Sequence, residues 1–400
     1  MKLAALLILI PVTALALMQS TTTTDPISEF QTKLRNGKAR LEFEPQHGYL
    51  QSLLKNLNIP VSSQGLVFSK TSFQYPLISP AKPRALYFND ETYVGWVQNA
   101  PVLEIISVDP KLGPIFYSLS QDKDNPEFQR QSGHCLVCHY YFDSKMAVTR
   151  LVVLSVLPDA AGNDVGTPLF TSDESPLEYR WGGWYVTGTH GRQRHLGNTM
   201  VRASLSDNID VVDYISKLDV TRGSNVTDLS TRIDTKPYLS PHSDIASLMV
   251  LVHQANVHNL ITLASTKIKA NSSDKAVDDV GEQLLKLMLF ADEAQLTEPV
   301  QGTSNFAVEF ASQGPRDRQG RSLRDLDLNR RLLRYPLSYT IYTKSFDAIP
   351  ARVKQYVYRR LREVLNGRDT SAAFKLSEAD RQAILEILRD TKPEVVGPAA

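Results

Sequence analysis

Five consecutive residues, Cys135-Leu136-Val137-Cys138-His139, constrain this chain more than any other stretch. C-x-x-C-H places two thiols one helical turn apart and an imidazole directly after the second. Each thiol can close a thioether to one of the two vinyl groups of a porphyrin. The imidazole then stands under the ring as an axial iron ligand, which makes the pattern the attachment signature of a c-type haem. The pair is also the chain's whole stock of cysteine, so the motif uses every thiol there is.

The competing readings of such a pair are a short disulfide, a redox-active dithiol and a metal site. A thioredoxin-like dithiol follows a strand and opens a helix. Here Gly133-His134 precedes the motif and Tyr140-Tyr141-Phe142-Asp143 follows it, a sequence that reads as a loop rather than a helix start. A zinc site needs further thiolates or histidines at finger spacing, and none lies nearby.

Export agrees with covalent haem. Met1-Lys2 and the apolar run from Leu3 to Met18 form a secretory signal peptide over residues 1–19, cut near Ala16 to Ser20, with Thr21 to Pro26 as a tether. The expected location is therefore periplasmic or secreted. Pro11 and the shortness of the run argue against an uncleaved anchor, and no later stretch is long and apolar enough to span a membrane after cleavage. A formal net charge of +1 gives no electrostatic reason to expect a nucleic-acid partner.

Along the mature chain the pattern divides. Residues 20–205 read as a β-rich domain: a strand in Gly65 to Phe73, Tyr93 to Val97, a hairpin of Val102 to Val108 and Ile115 to Leu119 across Asp109-Gly113, a buried strand over Met146 to Leu157, and another over Arg180 to Thr189. Helices are expected within Ile27 to Leu41 and from Tyr49 to Leu57. Residues 206–400 read as mainly helical, with a long apolar helix over Asp244 to Ser265, a second over Glu282 to Asp292, a helix opened by Pro350, and a Ser377/Asp380 capping box for the last one. Asn305 to Arg321 reads as loop. The fold class is thus α+β, with the haem motif on a loop behind a β-meander.

The motif names the fifth iron ligand, His139, and leaves the sixth open. Met200 lies 61 residues later (200 − 139), a separation that suits a small helical cytochrome but not a motif flanked by strands. His190 and His195, either side of a Gly-bearing turn at a strand end, are the preferred distal candidates; surface histidines are the plain alternative. His253 and His258 are five residues apart, about 140° around a helix axis, so they are no same-face pair and read as hydrogen-bonded core residues. Arg130, Arg192 and Arg194 are candidate partners for the haem propionates.

Ser62 to Phe73, Pro83 to Val97, the haem motif, Arg180 to Asn198 and Leu323 to Tyr342 together resemble secreted bacterial c-type cytochrome-like proteins with a single C-x-x-C-H haem site. The resemblance implies covalent haem and export. The β-rich haem domain is also faintly similar to periplasmic PAS-type sensor domains. The expectation is an exported protein with one covalent haem c, held by Cys135 and Cys138 and ligated by His139, passing single electrons to a redox partner protein. A haem enzyme of peroxidase-like or small-molecule oxidoreductase type, or a haem-based sensor module, is the alternative. No P-loop, G-x-S-x-G or H-E-x-x-H competes.

Overall fold

The structure is a computed structural model, and it describes residues 23–143, 146–201, 210–369, 371 and 373–397. The expected signal peptide lies outside the described residues. In chain order the strands are β1 (Gly65–Val67), β2 (Arg84–Phe88), β3 (Thr92–Trp96), β4 (Val102–Asp109), β5 (Gly113–Ser120), β6 (Phe128–Arg130), β7 (Tyr140–Asp143), β8 (Met146–Thr149), β9 (Leu154–Ser155), β10 (Leu169–Phe170), β11 (Trp184–Tyr185), β12 (Gly188–Thr189) and β13 (Gln301–Gly302). The helices are α1 (Pro26–Arg35), α2 (Leu50–Asn56), α3 (His134–His139), α4 (Val211–Lys217), α5 (Ile245–Lys267), α6 (Asp274–Met288), α7 (Phe306–Ser312), α8 (Lys344–Asp347), α9 (Ala351–Leu365), α10 (Glu378–Thr391) and α11 (Pro393–Val396). The class is α+β.

Strands β1 to β6 form an antiparallel meander, and β11 pairs with β1 to give a seven-stranded sheet. The hairpin expected across Asp109 to Gly113 is present. Asp109 Oδ1 accepts from the Lys111 and Leu112 amides at 2.9 Å, and Gly113 turns the chain at φ +77°. Asp109 Oδ2 takes the Thr24 amide at 2.7 Å, and Asp25 is buried as the N-cap of α1. The last residues of the expected tether are therefore docked on the sheet.

Side-chain alternation gives the sheet two buried faces. Leu66, Tyr87, Val94, Leu103, Ile105 and Leu119 pack with Ile27 and Phe30 of α1 and Leu50, Leu53 and Leu54 of α2. Val67, Phe88, Tyr93, Val108 and Trp184 face the other way, into a core with α5 and the helices that follow it. Helix α5 is apolar nearly all round and buried over most of its 23 residues, as a helix laid between two layers must be. The strands and the helices after residue 205 share this core, which runs from Val67 to Val395.

Several local expectations differ from what is seen; the strand expected over Gly65 to Phe73 is only the three residues of β1. The motif lies on a helix, not a loop: α3 is six residues long and covers His134 to His139. Tyr140 to Asp143 are strand formers and do form a strand, so helix and strand meet with no residue between them. The run Met146 to Leu157 is not one strand. It pairs at 146–149 and 154–155, and Leu151 between them is tied instead to α5, its amide donating to Asn259 Oδ1 at 2.7 Å and its carbonyl accepting from Asn259 Nδ2 at 2.9 Å. The expected strand over Arg180 to Thr189 starts late, because Trp181 (φ +65°) and Gly183 (φ +83°) turn the backbone, and it is two short pieces, the Val186 and Thr187 amides between them donating to Asn198 Oδ1 and the Ser243 carbonyl. In the helical half the long helix and the capping box at Ser377 and Asp380 are as expected, whereas the helix expected over 282–292 runs from Asp274 to Met288 and α7 occupies part of the expected 305–321 loop.

Candidate functional site

Period-two alternation sends Arg84 and Leu86 of β2, Gly95 of β3, Glu104 and Ile106 of β4 and Phe116 of β5 to the same side of the sheet. Leu251 and Ala255, one turn apart on α5, face them. Between the two layers lies a cavity of about 150 Å³, lined also by Leu151 to Leu154, Trp184, Cys135, Cys138 and His139. Its wall is mainly apolar, with Arg84 and Glu104 as its charged residues. Asn259, one further turn along α5, pins Leu151 as described, and Trp184 Nε1 donates to the Leu154 carbonyl at 2.8 Å, so the 151–154 wall is held at both ends.

The motif is positioned by its neighbours. The Gln131 amide donates to the Phe116 carbonyl at 2.8 Å and brings the chain off β5 into α3. Leu136 is buried beneath the helix, while Val137 is 83% exposed. His139 is clamped to Arg150 twice. Its carbonyl accepts from the Arg150 amide at 2.8 Å, and its Nδ1 donates to the Arg150 carbonyl at 2.9 Å. The ring packs against Phe116, centroids 4.8 Å apart. Burial pushes the His139 pKa below its ordinary value, so the imidazole is neutral. A neutral imidazole with Nδ1 spent on a backbone carbonyl offers Nε2 to a metal, the arrangement that fixes tautomer and ring orientation in metal-ligating histidines.

Cys135 does not have the electrostatics of a reactive thiol. Burial first, then the Glu104 carboxylate and the Cys138 thiol, push the Cys135 thiol up to about 11, away from the low values of reactive thiolates. Cys138 is exposed. Thioether formation removes this titration altogether. The residues present therefore fit a c-type haem: two thiols and an oriented, neutral imidazole open on one apolar cavity. No family model, curated protein or solved structure matches the chain.

The preferred distal candidates are elsewhere. His190 and His195 do come together, ring centroids 4.5 Å apart, but both are buried against other parts of the chain and neither lines the cavity. His190 Nε2 accepts the Asn225 amide at 3.0 Å, and His195 stands edge-on to Trp181. Their turn packs among other parts of the chain rather than along this cavity, which the glycine pattern did not disclose. Met200 packs in the core beneath the other face of the sheet. His253 and His258 are core residues as expected: His253 bridges Asp173 Oδ2 (3.2 Å) and Ser338 Oγ (2.8 Å), and His258 bonds the Asp90 carbonyl at 2.7 Å. Among the described lining residues His139 is the one histidine, and there is no methionine.

The arginines differ too. Arg192 is spent on Glu298 at the surface, and Arg194 caps the carbonyls of Ile215, Ser216 and Leu218 at the end of α4. Arg84 is the arginine that lines the cavity. No sequence signal marked it except its place two residues before Leu86 on an alternating strand.

Acid should unfold the protein partly through its histidines. Burial holds His139, His190 and His258 below 6.5 and takes His195, further lowered by His190, down to about 3. Above pH 6.5 these groups are neutral whether folded or not, and their contribution to stability is complete. Below it the unfolded chain binds protons that the folded chain refuses, so stability falls, by up to about 1.4 kcal/mol per pH unit for each group until its folded pKa is reached. Urea midpoints measured from pH 7 to pH 4 should decline, and His195→Asn should decline less steeply; parallel curves for the two proteins would show that His195 plays no such part.

Proposed function

We propose that this chain is an exported c-type haem protein that passes single electrons to or from a partner protein, in keeping with its resemblance to secreted c-type cytochrome-like proteins. The observation that carries the reading is the convergence of both thiols and a pre-oriented neutral imidazole on one apolar cavity. Cys135 and Cys138 hold the porphyrin, and His139 Nε2 ligates iron. The bound haem supplies a one-electron couple. The chain sets that couple by the hydrogen bond from His139 Nδ1 to Arg150, by the apolar wall that keeps out water, and by the few charges placed in the cavity. Cys138 and Val137 are exposed, so a redox partner could approach a haem held there from the motif's side of the protein. No helix of the described residues is long and apolar enough to cross a membrane, in keeping with a mature protein free of the bilayer.

One observation favours a second reading. With His139 the one histidine and no methionine among the described lining residues, the face opposite His139 is suited to a small exogenous ligand, as in a haem enzyme or sensor. Optical and EPR spectra of the ferric and ferrous protein, with and without CO, separate the two. Low-spin iron inert to CO is the result expected for electron transfer, and immediate CO binding would favour the ligand-binding reading. His190→Ala and His195→Ala should leave the spin state unchanged; a change to high spin in either would restore that residue as a ligand.

A further inference from the structure

Arg84 and Glu104 are the charged pair of the cavity. They stand on β2 and β4 and reach each other across β3, Arg84 Nη1 donating to Glu104 Oε2 at 2.7 Å. Gly95 of β3 lies beneath the pair, where a methyl would make only ordinary contacts, 3.4 Å from Glu104 Oε2 and 3.5 Å from Arg84 Cδ. The two partners are unequally satisfied. Glu104 also accepts from Ser72 Oγ and from Gln74 Nε2 (3.0 Å), so both of its oxygens are occupied. Arg84 gives one N–H to Glu104, and its Nε is shut off from solvent with no partner. A buried guanidinium donor left empty is unfavourable, and the Nε–Nη2 edge is the side of the fork that takes a carboxylate in two parallel bonds.

We propose that Arg84 is the anion receptor of this cavity: Glu104, Ser72 and Gln74 hold the guanidinium in place, and its Nε–Nη2 edge binds a carboxylate or small oxyanion. Two sources share that chemistry. One is a propionate of the haem, a source that rests on the haem reading above; the other is a small free anion such as nitrite or formate that enters the cavity. Removing the receptor's hydrogen bonds to a charged group should weaken binding roughly ten- to a hundredfold.

Trp184 lines the cavity and supplies a fluorescence readout that does not depend on covalent haem. The experiment titrates the full chain bearing C135A and C138A with protoporphyrin IX, with its dimethyl ester, and with sodium nitrite and sodium formate. The same titrations are run on R84K, which keeps charge without the fork. They are run also on R84L/E104L, which removes both charges and so leaves neither buried alone; circular dichroism checks the fold of each. Tenfold or greater preference for the free-acid porphyrin over its ester, reduced in R84K and erased in R84L/E104L, assigns the propionate. Arg84-dependent quenching by nitrite or formate, with no preference between the porphyrins, assigns the small anion. No binding of any probe, or binding that both variants leave unchanged, overturns the proposal. The mass of the wild-type exported chain reads the haem assignment separately, since an absent haem increment there leaves the anion titrations standing.

Discussion

Replacing Cys135 and Cys138 together by Ala should abolish the increment of one haem in the mass of the exported protein, while each single replacement leaves one thioether and a weaker, partly filled product. The wild type, secreted from a host that has the export-side haem ligation machinery, should carry the full increment. The size of the effect follows from the chain having no other thiol: no third cysteine can substitute. His139→Ala should separate attachment from ligation. The porphyrin should stay bonded through sulfur while the iron loses the imidazole that Arg150 orients, so the optical and EPR spectra should depart from those of the wild type. The rival reading, a redox dithiol, requires a thiol with a lowered pKa, whereas burial and Glu104 drive Cys135 the other way, to about 11. If the wild-type chain instead emerges two hydrogens lighter than its reduced form, with no haem, the cysteines form a disulfide and the electron-transfer reading falls with them.

What the sequence disclosed and what it hid divide by the range of the forces involved. Helix ends and hairpins were legible because their signals are local: Asp109 with Gly113, the capping box at Ser377, and the apolar length of α5 each act within a few residues. Cys135, Cys138 and His139 could be singled out for the same reason, as the motif is a matter of spacing, and the structure sets all three against one cavity. The wall around them was not. Leu251 and Ala255 come from α5, Arg84 and Glu104 from strands two apart, and only alternation read against the finished sheet puts them on one side. His190 and His195 misled because a turn rich in glycine carries no information about which face of the fold it packs on; Asn225, 35 residues from His190, decides that. The loop expected at the motif failed on a narrower point: flanking strand formers argue against a long helix, and a helix of one and a half turns survives between strands when Leu136 is buried beneath it and the Arg150 amide takes its last carbonyl.

Asp244→Ala should destabilise the fold by about 3 kcal/mol, and it should loosen the cavity from a distance. Asp244 is buried at the start of α5. Its Oδ1 caps the helix by accepting the Ala246 amide at 2.8 Å, and its Oδ2 accepts both the amide and the hydroxyl of Ser304 at 2.7 Å. Loss of an N-cap costs about 1 kcal/mol, and each donor left buried and unmatched adds about 1 kcal/mol or more. The same junction ties α5 to the sheet: the Ile245 amide donates to the Thr187 carbonyl at 2.9 Å, the Thr187 amide to the Ser243 carbonyl at 2.7 Å, and Ser243 Oγ bridges Tyr185 of β11 to Leu66 of β1. Leu251 and Ala255 hang from this anchor, two and three turns along the helix, so its release lets the layer opposite the sheet move. Asp244→Asn isolates the two functions, since its amide oxygen can still cap α5 but its amino group cannot accept from Ser304. Its midpoint in urea should fall between those of wild type and Asp244→Ala, and Ser304→Ala should cost less when added to Asp244→Ala than when made alone, because the bond to Asp244 is already lost. Equal midpoints for wild type and Asp244→Ala would mean that α5 is held by its apolar packing alone, and the cavity would then owe its shape to the core rather than to this junction.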